Sequence, residues 1–162
     1  VFCGAPEGGK AIAMLLAEIA ALRYVYPEKK VTAPATADAR EESKLVWARH
    51  DGAIRNGDKV VIVEDVMNNF STTRELICLI EASGGTVVGI TGLLNRSPLV
   101  EKTYTIEEGS DIPVVAVFQR EIEEYQQDDP AVADDVARGN VVWKPKNEWQ
   151  RLMAAMGAAG TK

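Results

Sequence analysis

The sequence predicts an α/β fold, a mostly parallel sheet flanked by helices with a small helical C-terminal tail. Short β-branched runs, "KVVIVED" and "TVVGITGLL", alternate with segments whose apolar residues recur at helical spacing, "GKAIAMLLAEIAALRY" and "STTRELICLIEAS". Many of the joints between them carry Gly, Pro, Asn or Asp. No internal repeat or low-complexity tract breaks the alternation.

"VFC" reads as a short strand ending at Gly4, and a helix is predicted from about Gly9 to Leu22. "RYVY" reads as a strand closed by Pro27. Residues 27–43, "PEKKVTAPATADAREES", show no period and are expected to form a long loop of the kind that serves as a lid. "KLVWARH" and "KVVIVED" read as strands separated by the Gly-containing turns of "DGAIRNGD". "STTRELICLIEAS" is a helix that Ser71, Thr72 or Thr73 would cap and Gly84-Gly85 would end. "TVVGITGLL" reads as a strand buried on both faces, and "IPVVAVF" as one more. Residues 1–120 are thus expected to form the core. Residues 121–162 form an acidic, helical extension packing on it, with helices in "PAVADDVARG" and "KNEWQRLMAAMG" around "NVVW". Trp143 and Trp149 would anchor that tail, and the acidic run 121–135 would be a solvated face.

A length of 162 residues suits one domain with a sizeable core. The net charge of -6 argues against broad nucleic-acid binding, which depends on basic surface. The acid excess is local: residues 101–135 hold eleven acids against Lys102 and Arg120. Residues 23–60 hold eight bases against six acids, which places an anion site in the first half. Cys3 and Cys78 are the only cysteines and form no metal-ligand pattern, so two free thiols in a reducing, cytoplasmic setting are expected. The apolar runs are too short to span a membrane, and no stretch reads as a signal peptide. "VFCGAP" starts in mid-strand without an initiator Met, so further N-terminal sequence is expected.

Two joints carry chemistry. In "VVIVEDVMNNFSTTRELI" a strand brings Glu64 and Asp65 to the sheet edge, and a polar loop leads into a helix. The free N–H groups and partial positive charge of that first helical turn favour an anion such as phosphate. Carboxylates beside a phosphate suit sugar hydroxyls or a hydrated Mg²⁺. The same spacing also suits a solvated acid pair before an ordinary capped helix. "CGAPEGGK", residues 3–10, is a second strand–loop–helix joint of this kind, and equally a plain turn in which Gly and Pro are expected.

A hydrophobic strand, two acids, an aliphatic residue, a short polar loop and a helix resemble the phosphoribosyl-pyrophosphate (PRPP) motif of type I phosphoribosyltransferases. The resemblance covers about residues 1–97 and is nearest to the orotate enzymes. It implies that Glu64 and Asp65 bind the ribose hydroxyls and that Asn68, Asn69, Phe70, Ser71 and Thr72 wrap the 5-phosphate. It further implies that Gly4, Ala5, Pro6, Glu7, Gly8 and Gly9 form the pyrophosphate loop. "YVYPEKK" is similar to the start of the family's mobile catalytic loop, with Lys30 the best match for the lysine that reaches the departing pyrophosphate and Lys29 the fallback; either is also readable as a solvated lysine at a loop start. Lys30 and Asp65 would then be the catalytic pair. "LLNRS" resembles the base-contacting segment, with Arg96 matching and Asn95 in place of an acid; Arg96 is also readable as a solvated strand end. His50 reads as a surface turn residue.

The phosphate loop departs from the family pattern in having no glycine, so Asn, Ser and Thr side chains would have to take part in binding. The implied activity is transfer of phosphoribosyl from PRPP to a pyrimidine, with orotate first. Mg²⁺ would be held mainly through PRPP rather than by direct protein ligands, in a homodimer that binds neither nucleic acid nor membrane. A purine phosphoribosyltransferase and a non-catalytic PRPP- or nucleotide-sensing module are the alternatives.

Overall fold

The computed structural model describes residues 1–33, 42–47, 52–98, 100–106, 110–123, 125, 129–142 and 147–159. Residues Val1–Ile122 and Glu123–Lys162 form two compact units. The first contains β1 (Phe2–Gly4), α1 (Gly9–Ala20), β2 (Tyr24–Val25), β3 (Glu28–Ala33), β4 (Glu42–Val46), β5 (Lys59–Met67), α2 (Ser71–Ala82), β6 (Thr86–Asn95), β7 (Thr103–Thr105) and β8 (Asp111–Gln119). Its main sheet has the order β2-β1-β5-β6-β8-β7. Every neighbouring pair is parallel except β7 with β8.

This order positions the site. From β1 the chain crosses to β2 on one side, and from β5 it crosses to β6 on the other. The direction of winding therefore reverses between β1 and β5, which pair as Phe2↔Val61, Cys3↔Ile62 and Gly4↔Val63. Crevices in open α/β sheets form beyond the carboxyl ends of the strands at such a reversal. Residues 5–8 and 68–70 both emerge there.

The packing follows from residue size. α1 approaches β1 and β5 through Gly9, Ala13 and Ala17, small residues four apart on one helix face. α2 buries Thr73, Leu76, Ile77 and Ile80 against Val60, Ile62 and Ile90 of the sheet. Each fully buried aliphatic side chain contributes about 1.5–3 kcal/mol.

Several expectations are corrected. Within the loop expected over 27–43, Glu28–Ala33 is instead a strand, because β3 and β4 pair antiparallel from Glu28↔Val46 to Ala33↔Glu42 and form a two-stranded arm. The alternation of "EKKVTA" with "ESKLV" provides one buried position, Leu45, which roots the arm in the core. Residues 34–41 and His50 lie outside the described residues. β6 is not buried on both faces: Val87 and Ile90 are buried, whereas Val88 and Leu93 are 39% and 46% exposed. Edge strand β7 was not foreseen, since "TYT" is too short to show a period.

In the second unit a 3₁₀ turn, Pro130–Val132, precedes the short α3 (Ala133–Ala137), and α4 spans Trp149–Ala159. The helix expected over "PAVADDVARG" is therefore shorter and partly 3₁₀. Asp129 caps its start by accepting the Ala131 N–H at 2.8 Å, and Pro130 enters the first turn. Trp149 is 58% exposed rather than a packed anchor; Trp143 lies outside the described residues. The described acids of 121–135 are solvated or nearly so.

Candidate active site

Strand alternation turns the two adjacent acids to opposite faces of β5. Glu64 is only 8% exposed, and the buried Thr73 hydroxyl donates to its Oε1 at 3.4 Å. Burial, and then the neighbouring Asp65 charge, push the Glu64 carboxyl up to about 7, while the Thr73 hydrogen bond and the Lys29 charge pull it down. Asp65 is exposed, and its Oδ1 accepts the Val66 N–H at 2.9 Å. The pair therefore offers one buried acceptor that titrates near neutrality and one exposed carboxylate.

The raised value has a consequence for stability. The protonated form of Glu64 stabilises the fold fully below the unfolded value of 4.5, and that contribution is lost as pH rises to about 7. Glu64→Gln keeps the shape without the charge. It is expected to raise stability at pH 8 by on the order of 3 kcal/mol and to change little at pH 4.5. Urea denaturation at the two pH values checks this.

The first loop is packed tightly on the acids. A Cβ on Gly8 would collide with the Asp65 carboxylate, and one on Gly9 would collide with the Val63 carbonyl. Ala5 is buried and its N–H donates to the same Val63 carbonyl at 2.9 Å. The Pro6–Glu7 peptide is cis. The exposed Glu7 carboxylate pairs with Lys10 Nζ at 2.8 Å, and Lys10 lies 4.9 Å over the Tyr26 ring. Gly8 is thus brought to within touching distance of Asp65, and Lys10 adds a cation that the sequence did not single out.

The second loop encloses a cavity of about 140 Å³ lined by Glu64, Asn68, Asn69, Ser71, Thr72 and Thr73, with Val66, Met67 and Phe70. Asn69 Oδ1 accepts the Ser71 N–H at 3.1 Å, so the cap on α2 comes from Asn69 and not from Ser71, Thr72 or Thr73. Phe70 stands at the N-cap position with φ 58°, the left-handed conformation that a glycine would take at least cost. Its side chain is 5% exposed and stacks on Tyr104 at 5.3 Å.

Arg96 is half-buried, and its N–H donates to the Met67 carbonyl at 3.0 Å, which places it beside the second loop. Asn95 is a structural residue. Fully buried, it donates to the Val100 carbonyl at 2.7 Å and accepts the Ser97 N–H at 3.0 Å.

The arm separates the two lysines. Lys29 pairs with Leu45, which is buried, and Lys30 pairs with Lys44 on the other face of the ladder. Lys29 is the lysine whose charge reaches Glu64. Two lysines directly opposite repel each other, so the Lys30–Lys44 face favours an anion. Glu28, Lys29, Lys30, Lys44, Leu45 and Trp47 line a cavity of about 680 Å³ together with Val46 and Leu79. Lys44 and Tyr104 escaped sequence reasoning, and Thr73 was read only as a candidate cap, although its hydroxyl lies in the helical turn that follows the strand's acids.

Among the described residues no three His, Cys, Asp or Glu side chains cluster as a metal site, and no helix is long and apolar enough to cross a membrane. Cys3 is buried with its thiol pushed up to about 12, and Cys78 is exposed; both are free.

No protein-family model matches the chain. Orotate phosphoribosyltransferase of Coccidioides immitis is 39% identical over 75 residues, covering 41% of this chain and 32% of the relative. The enzyme of the same name from Carboxydothermus hydrogenoformans is 38% identical over 58 residues, covering 36% and 30%. The chain thus spans about a third of the length of these curated relatives. Adenine phosphoribosyltransferase of Rhodothermus marinus superposes with a TM-score of 0.52 at 25% identity, over 73% of this chain and 68% of that one. Adenine phosphoribosyltransferase of Trypanosoma brucei reaches a TM-score of 0.56 at 15% identity, over 86% and 68%, a likeness of fold alone. The chain is thus similar over part of its sequence to orotate phosphoribosyltransferases, and in fold to adenine phosphoribosyltransferases.

Proposed function

We propose that the chain transfers the phosphoribosyl group of PRPP to a nucleobase, orotate first, and releases pyrophosphate. The observation that carries this is the packing of Gly8 on Asp65, with the neighbouring Glu64 lining the cavity of the second loop. The spacing suits a ligand with a phosphate at each end and a sugar between. In the reaction the bond from ribose C1 to the pyrophosphate oxygen breaks, its electron pair leaves with pyrophosphate, and a ring nitrogen of the base bonds to C1 as its proton passes to the released pyrophosphate or to water.

Positive charge develops on the ribose while a polyanion departs, so help is mostly positioning and electrostatics. Residues 68–73 would hold the 5-phosphate, through the first-turn amides of α2 and the Asn, Ser and Thr side chains. Glu64 and Asp65 would accept the ribose hydroxyls. Residues 4–9 would hold the pyrophosphate, and Lys30 on the arm would meet its growing charge. Arg96, next to the second loop, would offer its planar fork to the carboxylate of orotate. The orotate enzymes among the relatives favour that base; the adenine enzymes among the structural neighbours keep a purine as the second reading.

Mg²⁺ fits the donors present. Asp65 is an exposed hard carboxylate, and Mg²⁺ is usually held by one or two carboxylates plus substrate phosphates. When bound it would neutralise part of the pyrophosphate charge.

A homodimer and a cytoplasmic setting complete the proposal. In support of the dimer, α1 leaves Met14, Leu15 and Ile19 exposed at 52%, 60% and 83%, an apolar surface that a second copy would cover. In support of a reducing compartment, both cysteines are free.

The test is isothermal titration with PRPP and Mg²⁺, followed by an orotate-depletion assay. Binding with turnover of orotate is the expected result. Turnover of a purine alone would replace the substrate, and binding with no turnover of any base would leave a sensing module. Asp65→Asn is expected to weaken PRPP binding by about tenfold or more, as a charged acceptor becomes a neutral one.

A further inference from the structure

We infer that Tyr104, on an edge strand distant in sequence from the PRPP motif, is a positioning residue for the phosphate loop. The proposal rests on the assignment of residues 68–73 to the 5-phosphate.

Phe70 is the hinge of that loop. It immediately precedes α2, and its φ of 58° sets the direction in which the chain enters the helix. A bulky residue in the left-handed region persists only where its surroundings over-determine it. Here the surroundings are visible. The ring is buried to 5% exposure and stacks on Tyr104 with centroids 5.3 Å apart and planes 19° from parallel. The Phe70 carbonyl accepts the Arg74 N–H at 2.9 Å, so the residue's orientation is also that of the first turn.

Tyr104 sits in β7, which among the described residues joins the sheet only through β8 by the pairs Thr103↔Pro113, Tyr104↔Ile112 and Thr105↔Asp111. Ile112 is 2% exposed, so this strand is fastened to the core at the Tyr104 register. The chain of contact runs from the core through Ile112 and β7 to Tyr104, then Phe70, and from there to the Ser71, Thr72 and Thr73 amides beside the cavity. A loop without glycine therefore acquires the backbone direction that glycine would permit. Tyr104 touches no ligand in this scheme; it acts through Phe70.

Titration with ribose 5-phosphate is the test, because this ligand occupies the phosphate loop without needing a base or pyrophosphate. Tyr104→Ala should weaken its binding on the order of fivefold, and Tyr104→Phe, which keeps the stack, should bind as wild type. In PRPP turnover the same change should raise KM and leave kcat nearly unchanged. Hydrogen exchange of the Phe70–Thr73 amides in the unliganded protein should accelerate in Tyr104→Ala and not in Tyr104→Phe. In a Phe70→Gly background, adding Tyr104→Ala should cost no further affinity, since glycine needs no restraint to reach positive φ. Unchanged affinity and exchange in Tyr104→Ala overturn the coupling while leaving the phosphate assignment standing. Absence of ribose 5-phosphate binding in the wild-type chain overturns that assignment, and the inference with it.

Discussion

Gly8→Ala is expected to weaken PRPP binding on the order of 10²-fold, because the added methyl has no place to go except into the Asp65 carboxylate. The effect should exceed that of losing any one loop hydrogen bond. The substitution should move two things at once: the first loop retreats from the sheet, and the Asp65 carboxylate turns away. Strand β5 itself should be little affected, since its burial depends on Val60, Ile62 and Val63. Titration with PRPP and a urea melt, run on the same variant, separate the two effects. Lost binding with preserved stability is the expected pair. Wild-type binding by Gly8→Ala would mean that the first loop and Asp65 do not share a ligand.

Lys30→Ala is expected to lower turnover by about 10²–10³-fold while PRPP affinity changes little. The lysine would act where charge develops on the leaving pyrophosphate, so its removal should appear in kcat. Its position on the arm supports this division. Lys30 shares a ladder face with Lys44, and Lys29, on the other face, is the one whose charge reaches Glu64. Lys29→Ala should accordingly act on the ribose end, raising the Glu64 carboxyl further and shifting the pH dependence of PRPP binding upward. Steady-state kinetics of the two variants distinguish the roles. Wild-type turnover in Lys30→Ala would remove the arm from the mechanism.

Much of the site's framework could be read from residue order. "VVIVED" has the β-branched run of a central strand, and the two helices after Gly4 and Phe70 show their apolar period plainly. A parallel sheet then forces both joints to the same edge. What the sequence hid depends on tertiary contact. The arm of β3 and β4 was invisible because a two-stranded ribbon with one buried anchor, Leu45, has little hydrophobic alternation. Phe70 looked out of place in a phosphate loop because its justification lies 34 residues away, in Tyr104. Glu64 and Asp65 looked equivalent, yet the pleat gives them opposite faces, and burial followed by the Asp65 charge raises the Glu64 carboxyl. The bare face of β6 also follows from connectivity, since the link from β6 to β8 runs through β7 instead of a helix among the described residues.

Competition calorimetry tests the central claim most directly: two anion-holding loops beside one carboxylate couple clasp the two ends of a single PRPP. Ribose 5-phosphate and pyrophosphate, with Mg²⁺, should bind the chain together without displacing each other, and PRPP should displace both at one molecule per site. Mutual displacement of the two fragments, or PRPP that displaces only one of them, would contradict the shared site.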